Sequence, residues 1–268
     1  MARKLRLLCL HGMYQNAESF AAKTKHLRAD DVAEFVYLNG PFSVTPRVLA
    51  KPSSHSHSNM QQEQALLKKT SGRQREELFR AWWRPSGPQQ AEPTQLARDR
   101  DALLAYLRVQ LAELGEVDGV LGFSQGASLA SWLCSAQARL ELRWSPRVAV
   151  LIGSYAGPQQ YSLDSGILAS TNSLHMFGLN DHVVSAAKSR AVVDIFRDSQ
   201  DSASQVLTAV HSQGHVIPKC GDALAQLHSF LAQNAALPLS ASANASASTP
   251  LPMAGNAESV MTPIPSRP

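Results

Sequence analysis

A serine between two glycines lies where a hydrophobic run ends and a run of small residues begins. Residues 119–133 read GVLGFSQGASLASWL, and the apolar part stops abruptly at Ser124. The first half predicts a buried strand that ends at Phe123, and the small-residue pattern predicts a helix from about Gln125. A strand that turns directly into a helix indicates a chain in which the two kinds of element alternate.

The rest of the chain continues this alternation. Further strands are predicted at residues 5–10, 34–38, 147–153, 174–177 and 206–210, and further helices at 94–115, 185–197 and 221–234. For the long helix, Thr94 is the predicted N-cap and Gly115 the stop signal. Such an order predicts an α/β fold, with a mainly parallel sheet and helices on both faces.

Two regions depart from the alternation. Residues 43–93 are polar and rich in Ser, Gln, Arg and Pro, which predicts an insertion over the sheet before the long helix. Residues 237–268 are low-complexity Ala/Ser/Pro sequence that cannot bury enough apolar surface to offset the cost of ordering, so we expect a disordered tail. The expected organisation is one α/β domain over 1–236, with the insertion at about 43–93, followed by the tail.

Composition argues against several classes of function. The net charge is +4, but the Lys and Arg residues are scattered rather than gathered on one face, which disfavours a nucleic-acid-binding protein. No apolar run reaches the length of a membrane span, and the one near the N-terminus is too short for a signal-peptide core. Cys9 and Cys134 lie in apolar contexts and predict buried, reduced thiols, so we expect a cytoplasmic protein.

The glycines around Ser124 fit a catalytic role. In α/β sheets ligands bind beyond the carboxyl ends of the strands, and Ser124 lies at such an end. A G-x-S-x-G stretch between strand and helix holds a nucleophilic serine at strained backbone angles, where larger neighbours would clash. A serine hydroxyl is a weak nucleophile, so it needs a histidine base that is itself oriented by a carboxylate.

One acid and one base follow in the expected order. Asp181 comes after the strand 174–177 in FGLNDHVV, and His215 follows the strand 206–210 in HSQGHVIP. Serine, acid and histidine occur in this order in such folds, each just past a strand. Asp164 and Asp222 are the alternative orienting acids. Asp181 could instead cap the helix 185–197, but Ser185 is better placed for that role.

The other histidines have simpler interpretations. His211 lies at a strand end and is the alternative base. His182 lies directly after the acid in the same loop, and such a neighbour rarely bridges to the serine. His175 lies within a strand of alternating side chains, which indicates a packed core histidine. His55 and His57 lie in a serine-rich stretch with no third ligand nearby, so we predict no metal site.

An oxyanion-binding site requires two backbone N–H groups. One is expected from Gln125, the residue after the nucleophile, and the other from Met13 in the loop LHGMYQN after the first strand. His11 in that loop is interpreted as structural.

Several motifs together resemble the FSH-type serine hydrolases, which are small esterases with the α/β-hydrolase fold. They are LCLHGMYQNAESFAAKTKHLR, LNGPF, AWWRP, GVLGFSQGASLA, FGLNDHVV and GHVIP, and the resemblance spans roughly residues 5–234. It implies a carboxylesterase or thioesterase whose nucleophile, acid and base match Ser124, Asp181 and His215. The segment GFSQG is also similar to acyl-protein thioesterases.

The expected function is hydrolysis of carboxylic esters or thioesters with a medium or long apolar acyl chain, without metal or organic cofactor. Tyr14, Trp82 and Trp83 are predicted to bind that chain, with one tryptophan packing the insertion onto the sheet. No cationic cluster is evident, so neutral esters are expected to be the better substrates. The alternatives are an acyl-protein thioesterase, an acyltransferase and a non-catalytic binding module. The partner is a small-molecule ester or thioester, and the sequence leaves the oligomeric state open.

Overall fold

The computed structural model describes residues 3–45, 78–84, 93–201 and 204–237. In chain order the strands are β1 (Leu5–Leu10), β2 (Ala33–Leu38), β3 (Phe42–Ser43), β4 (Arg80–Ala81), β5 (Gly119–Phe123), β6 (Val148–Ile152), β7 (Asn172–Gly178) and β8 (Val206–His211). Within the described residues, a six-stranded sheet has the order β2-β1-β5-β6-β7-β8. All of its pairings are parallel.

Helices connect the strands. They are α1 (Ala17–Lys23), α2 (Pro93–Leu114), α3 (Gln125–Leu133), α4 (Ala136–Leu142), α5 (Ala186–Asp198) and α6 (Gly221–Ala236), with short 3₁₀ turns at Lys25–Leu27 and Gln159–Tyr161. The predicted α/β architecture with a parallel sheet is confirmed. Strand order reverses between β1 and β5, and ligands bind at such switch points, beyond the carboxyl ends of the strands.

The central strands are apolar throughout because both faces of the sheet are covered. Leu8 and Leu10 of β1 face a core formed with α2, α3, α4 and α5, whereas Leu5, Leu7 and Cys9 face a second core formed with α1 and α6. Successive strand residues point to opposite faces, so each layer of helices buries alternate residues of the same strand. This explains the near-continuous hydrophobic run at the start of the chain.

The described end of the predicted insertion packs against the domain. β4 pairs antiparallel with β3 outside the main sheet, and Phe79, Trp82 and Trp83 beside it are buried. Residues 46–77 and 85–92 of the insertion lie outside the described residues. So does 238–268, which covers nearly all of the predicted tail.

Two short helices and one helix start differ from the sequence prediction. From the sequence we predicted no bounds for α1 and no helix at α4. A capping box starts α1, in which the Ser19 N–H donates to Asn16 Oδ1 at 2.8 Å and the Asn16 N–H donates to Ser19 Oγ at 3.0 Å. The predicted N-cap Thr94 lies inside α2, which begins at Pro93, because proline is favoured at the first helical position.

His175 is a packed core histidine, as expected for its place in a buried strand. It lies on β7 with 2 % of its surface exposed, and its ring meets Phe196 edge-on at 4.7 Å. Burial, with a smaller contribution from the charge of Arg197, lowers the pKa of His175 to about 3 from 6.5. The imidazole is therefore neutral in the folded protein over the range where the unfolded chain becomes protonated.

This burial predicts a pH dependence of stability. The stabilising effect of neutral His175 is complete above pH 6.5 and is lost as pH falls towards about 3, because the unfolded chain then binds one proton more than the folded one. For one histidine the free energy of unfolding decreases by at most about 1.4 kcal/mol per pH unit. We expect the free energy of unfolding, measured with urea, to fall less steeply with pH between pH 7 and 4.5 in His175→Leu than in the wild type. His228→Gln, at an exposed position, is the control and should keep the wild-type pH dependence. An equal pH dependence in wild type and His175→Leu would contradict the assignment.

Candidate active site

Three loops at the carboxyl edge of the sheet bring the predicted site residues together. Ser124 lies between β5 and α3, Asp181 follows β7, and His215 follows β8. His215 Nε2 is 2.9 Å from Ser124 Oγ, and His215 Nδ1 is 2.6 Å from Asp181 Oδ2. The structure thus joins all three residues into one hydrogen-bonded chain.

The backbone of Ser124 is strained, as the elbow interpretation requires. Its φ is 54° and its ψ −117°, angles that an L-residue rarely adopts. The following turn passes very close to β1, since a Cβ on Gly126 would lie 2.1 Å from the Leu10 carbonyl oxygen. Glycine is therefore required at 126 for the serine to project beyond the strand end.

Asp181 is held in place by the backbone as well as by the histidine. Its Oδ1 accepts hydrogen bonds from the N–H groups of Val183 and Val184, both at 2.8 Å, which leaves Oδ2 for His215. The carboxyl is buried, and burial alone would raise the pKa of Asp181. The hydrogen bonds from His215, Val184 and Val183 outweigh burial and hold that pKa below its ordinary value. The carboxylate is therefore ionised at neutral pH.

The ring of His215 is confined on two sides. Its centroid lies 4.9 Å from that of the Phe123 ring, and a Cβ on Gly153 would lie 3.3 Å from His215 Cε1. Gly153 has a φ of +61°, a value suited to glycine. Sequence reasoning did not identify Gly153, although its position directly after β6 was a usable signal.

The predicted oxyanion donors lie on either side of the switch point. Met13 is half-buried in the loop after β1, and Gln125 begins α3. Among the described residues neither backbone N–H has a hydrogen-bond acceptor. Tyr14, with a φ of 64°, donates its N–H to the Arg80 carbonyl at 3.0 Å and ties this loop to β4.

The Gln125 side chain links the tryptophan pair to α3, which sequence reasoning missed. Its Oε1 accepts the Trp82 N–H and its Nε2 donates to the Trp83 carbonyl, both at 2.9 Å. Trp82 is fully buried and donates its indole N–H to the His11 carbonyl at 2.8 Å. Trp83 packs in the same core, with 7 % of its surface exposed, and its ring lies 5.2 Å from that of Tyr161.

The other histidines near the loops do not contact Ser124. His11 is buried, its Nδ1 donates to the Gly12 carbonyl and its Nε2 accepts the Gly40 N–H, which agrees with a structural role. Burial lowers its pKa to about 4. His211 is buried at the end of β8, and neither of its ring nitrogens has a hydrogen-bond partner among the described residues.

A groove of about 220 Å³ opens beside His215. Its apolar lining comes from Phe123, Val216 and Ile217, and Gln15 adds a polar group.

Of the described carboxylates, only Asp181 pairs with His215, while Asp164 and Asp222 are exposed elsewhere. His55 and His57 lie outside the described residues. The described helices include none that is long and apolar enough to cross a bilayer.

The fold and this serine turn define the class of α/β hydrolases, to which solved structures of similar fold belong. Bacillus cereus carboxylesterase superposes with a TM-score of 0.57 at 15% identity, over 88% of this chain and 90% of that one. Zea mays acyl-protein thioesterase 2 superposes with a TM-score of 0.55 at 16% identity, over 88% and 95%. At such identities the likeness shows the fold alone.

Sequence comparison identifies the family within that class. The family described as "Serine hydrolase (FSH1)" matches residues 1–227, and the chain belongs to it. "Esterase OVCA2" of Danio rerio is 30% identical over 225 residues, 80% of this chain and 90% of that protein. Its Xenopus tropicalis counterpart is 31% identical over 229 residues, 81% of this chain and 88% of that protein. The protein is therefore a hydrolase, and the resemblance stated from the motifs is confirmed.

Proposed function

We propose that the protein is a serine esterase that hydrolyses carboxylic esters or thioesters through an acyl-enzyme on Ser124. The observation that carries the proposal is the hydrogen-bonded chain from Asp181 through His215 to Ser124, with the serine on a strained turn. The esterase names of the relatives support an ester substrate. No step of the mechanism requires a metal or an organic cofactor.

In the first half-reaction Ser124 Oγ attacks the carbonyl carbon of the substrate. The hydroxyl proton moves to His215 Nε2, while the Nδ1–H of the same ring donates to Asp181 Oδ2 and stays there. The ionised carboxylate stabilises the imidazolium that forms, because the ion pair develops in a largely buried place. A tetrahedral oxyanion results.

The backbone N–H groups of Met13 and Gln125 are proposed to bind this oxyanion. Their lack of acceptors among the described residues leaves both free to donate, and Gln125 adds the positive end of α3. The amide oxygen and nitrogen of the Gln125 side chain hydrogen-bond to Trp82 and Trp83, and these bonds fix the start of that helix.

Collapse of the intermediate breaks the bond to the leaving group. His215 Nε2 returns its proton to the departing alcohol or thiol, and an ester on Ser124 remains. A water molecule, deprotonated by the same nitrogen, then attacks the acyl-enzyme. The bond from the acyl carbon to Ser124 Oγ breaks, His215 Nε2 returns the proton to that oxygen, and the carboxylic acid is released. Transfer to an added alcohol in place of water would instead indicate an acyltransferase.

Labelling with a fluorophosphonate tests this proposal directly. The probe phosphonylates an activated serine, so we expect one adduct, on the peptide that contains Ser124, located by mass spectrometry. Hydrolysis of p-nitrophenyl esters should be lost in proportion to labelling. Absence of an adduct, or an adduct at another serine that accounts for the loss, would contradict the proposal.

The acyl side is proposed to be apolar. Phe123, Val216 and Ile217 line the groove, whereas Tyr14, Trp82 and Trp83 do not. Trp83 keeps 7 % exposure, and its carbonyl bonds to the Gln125 side chain at the start of α3. Each buried methylene contributes about 0.8 kcal/mol, so kcat/KM should rise by up to about fourfold for each added carbon until the space is filled. We expect this rise in a p-nitrophenyl series from acetate to laurate.

Trp83→Ala should flatten or shift that profile, and Trp83→Phe should change it less. Trp144→Ala is a matched control, because this indole bonds to the Val117 carbonyl at the opposite end of β5. A flat wild-type profile, or one that Trp83→Ala leaves unaltered, would exclude Trp83 from the acyl-binding surface.

A further inference from the structure

Two lysines from distant parts of the chain line the groove beside His215. Lys23 is the last residue of α1, and Lys219 lies in the loop between His215 and α6. From the sequence we expected no cationic cluster at the site, but the structure brings these two together. A hydrogen bond of 3.0 Å between His26 Nε2 and the Pro218 carbonyl joins the two segments.

Neither lysine is neutralised within the part of the chain that the structure describes. No acidic side chain there lies within ion-pair distance of Lys23 or Lys219, although several arginines are paired. Asp222, in the first turn of α6, is the nearest acid in sequence to Lys219 and does not line the groove. Both lysines are exposed residues.

We propose that the substrate carries an anionic group, a carboxylate or a phosphate, which Lys23 and Lys219 bind while the ester lies at Ser124. This inference rests on the proposed esterase function and names its substrate class. The apolar residues Phe123, Val216 and Ile217 contact the carbon segment between the ester and the anion. The proposed preference for anionic substrates replaces the expectation from sequence that neutral esters are the better substrates.

A short dicarboxylic half-ester combines an ester, an apolar carbon segment and an anion in one small molecule. The glutarate half-ester is therefore the probe, and the neutral pentanoate ester of the same chain length is its matched control.

The anion can belong to either side of the scissile bond, and two pairs of esters distinguish the cases. For the acyl side the pair is p-nitrophenyl glutarate half-ester and p-nitrophenyl pentanoate. For the leaving-group side it is the pentanoate ester of 4-hydroxybenzoate and that of methyl 4-hydroxybenzoate. The readout is the ratio of kcat/KM for the anionic ester to that for the neutral one, which cancels changes common to both substrates.

In at least one pair the ratio should fall in Lys23→Gln and in Lys219→Gln, by about two- to fivefold each, as expected for solvent-exposed ion pairs. The double variant should lose about tenfold, and Lys219→Glu should lower the ratio further. Lys188→Gln, on the exposed surface of α5, is the control and should keep the wild-type ratio. Added salt should lower the wild-type ratio more than that of the double variant, because mobile ions screen the lysines.

The proposal is overturned if wild type and double variant have equal ratios in both pairs. A second measurement does not depend on turnover: glutarate should raise the Tm of the wild type but not that of the double variant, since only the former binds the dianion. Equal shifts would likewise overturn it. Failure of the proposed esterase function is distinguishable, because then no ester of either charge is hydrolysed and Ser124 takes no fluorophosphonate.

Discussion

Replacement of Ser124 by alanine is expected to lower kcat for ester hydrolysis by about 10⁵- to 10⁶-fold, since removal of the nucleophile leaves only binding and oxyanion stabilisation. The acyl-enzyme burst should disappear with it. His215→Ala should have a similar effect, because the 2.9 Å contact from its Nε2 to Ser124 Oγ is the route by which the hydroxyl proton leaves. The two losses should not add in the double variant, since the residues act as one unit.

Pre-steady-state release of p-nitrophenol measures this prediction, with circular dichroism to check that the variants fold. Ser128→Ala is a matched control one turn further along α3. Ser128 is buried, and its hydroxyl has no hydrogen-bond partner among the described residues, so we expect the wild-type burst. A Ser124→Ala protein that still forms an acyl-enzyme would show that another residue is the nucleophile.

Replacement of Asp181 by asparagine is expected to lower kcat by about 10⁴-fold with little change in structure. The amide oxygen can still accept the N–H groups of Val183 and Val184, which turns the amide nitrogen towards His215. That nitrogen donates to Nδ1 and selects the tautomer with the proton on Nε2. The ring then has no lone pair with which to accept the proton of Ser124.

Steady-state kinetics and fluorophosphonate labelling rates of Asp181→Asn test this assignment. Asp164→Asn is the control, because Asp164 is the exposed alternative that the sequence offered as orienting acid. The wild-type rate is expected for that control. Near-normal turnover in Asp181→Asn would mean that another carboxylate orients the histidine, and the pairing of Asp181 with His215 would then be structural only.

The sheet could be predicted from the sequence because its strands are covered on both faces. The apolar runs of β1, β5 and β6 match the observed strands within a residue or two, since burial of both faces leaves an unbroken hydrophobic signal. The bounds of α1 were not predicted because the helix is short and its start depends on the capping box between Asn16 and Ser19 rather than on apolar periodicity.

The candidate site could be predicted as a list of residues but not as a geometry. The position of Ser124, Asp181 and His215 just beyond three strands is a local property of the chain, and parallel strands place their carboxyl ends along one edge. No local pattern reports the 2.6 Å and 2.9 Å contacts that join them. The hydrogen bonds from the Gln125 side chain to Trp82 and Trp83, and the space that Gly153 leaves for the His215 ring, could not be predicted from local patterns either.

The sequence by itself determined the strand–helix alternation, the turn at Ser124 and the order of nucleophile, acid and base, because these depend on neighbouring residues and on which faces are apolar. Only the tertiary structure decided which side chains of different loops lie in contact or line the same groove. Lys23 and Lys219 show the difference most clearly, since they lie in segments far apart in the sequence. Packing of α1 and the loop before α6 into the same core on one face of the sheet places both in one groove. Contacts between segments far apart in the chain depend on the packing of whole elements, which leaves no signal in local sequence patterns.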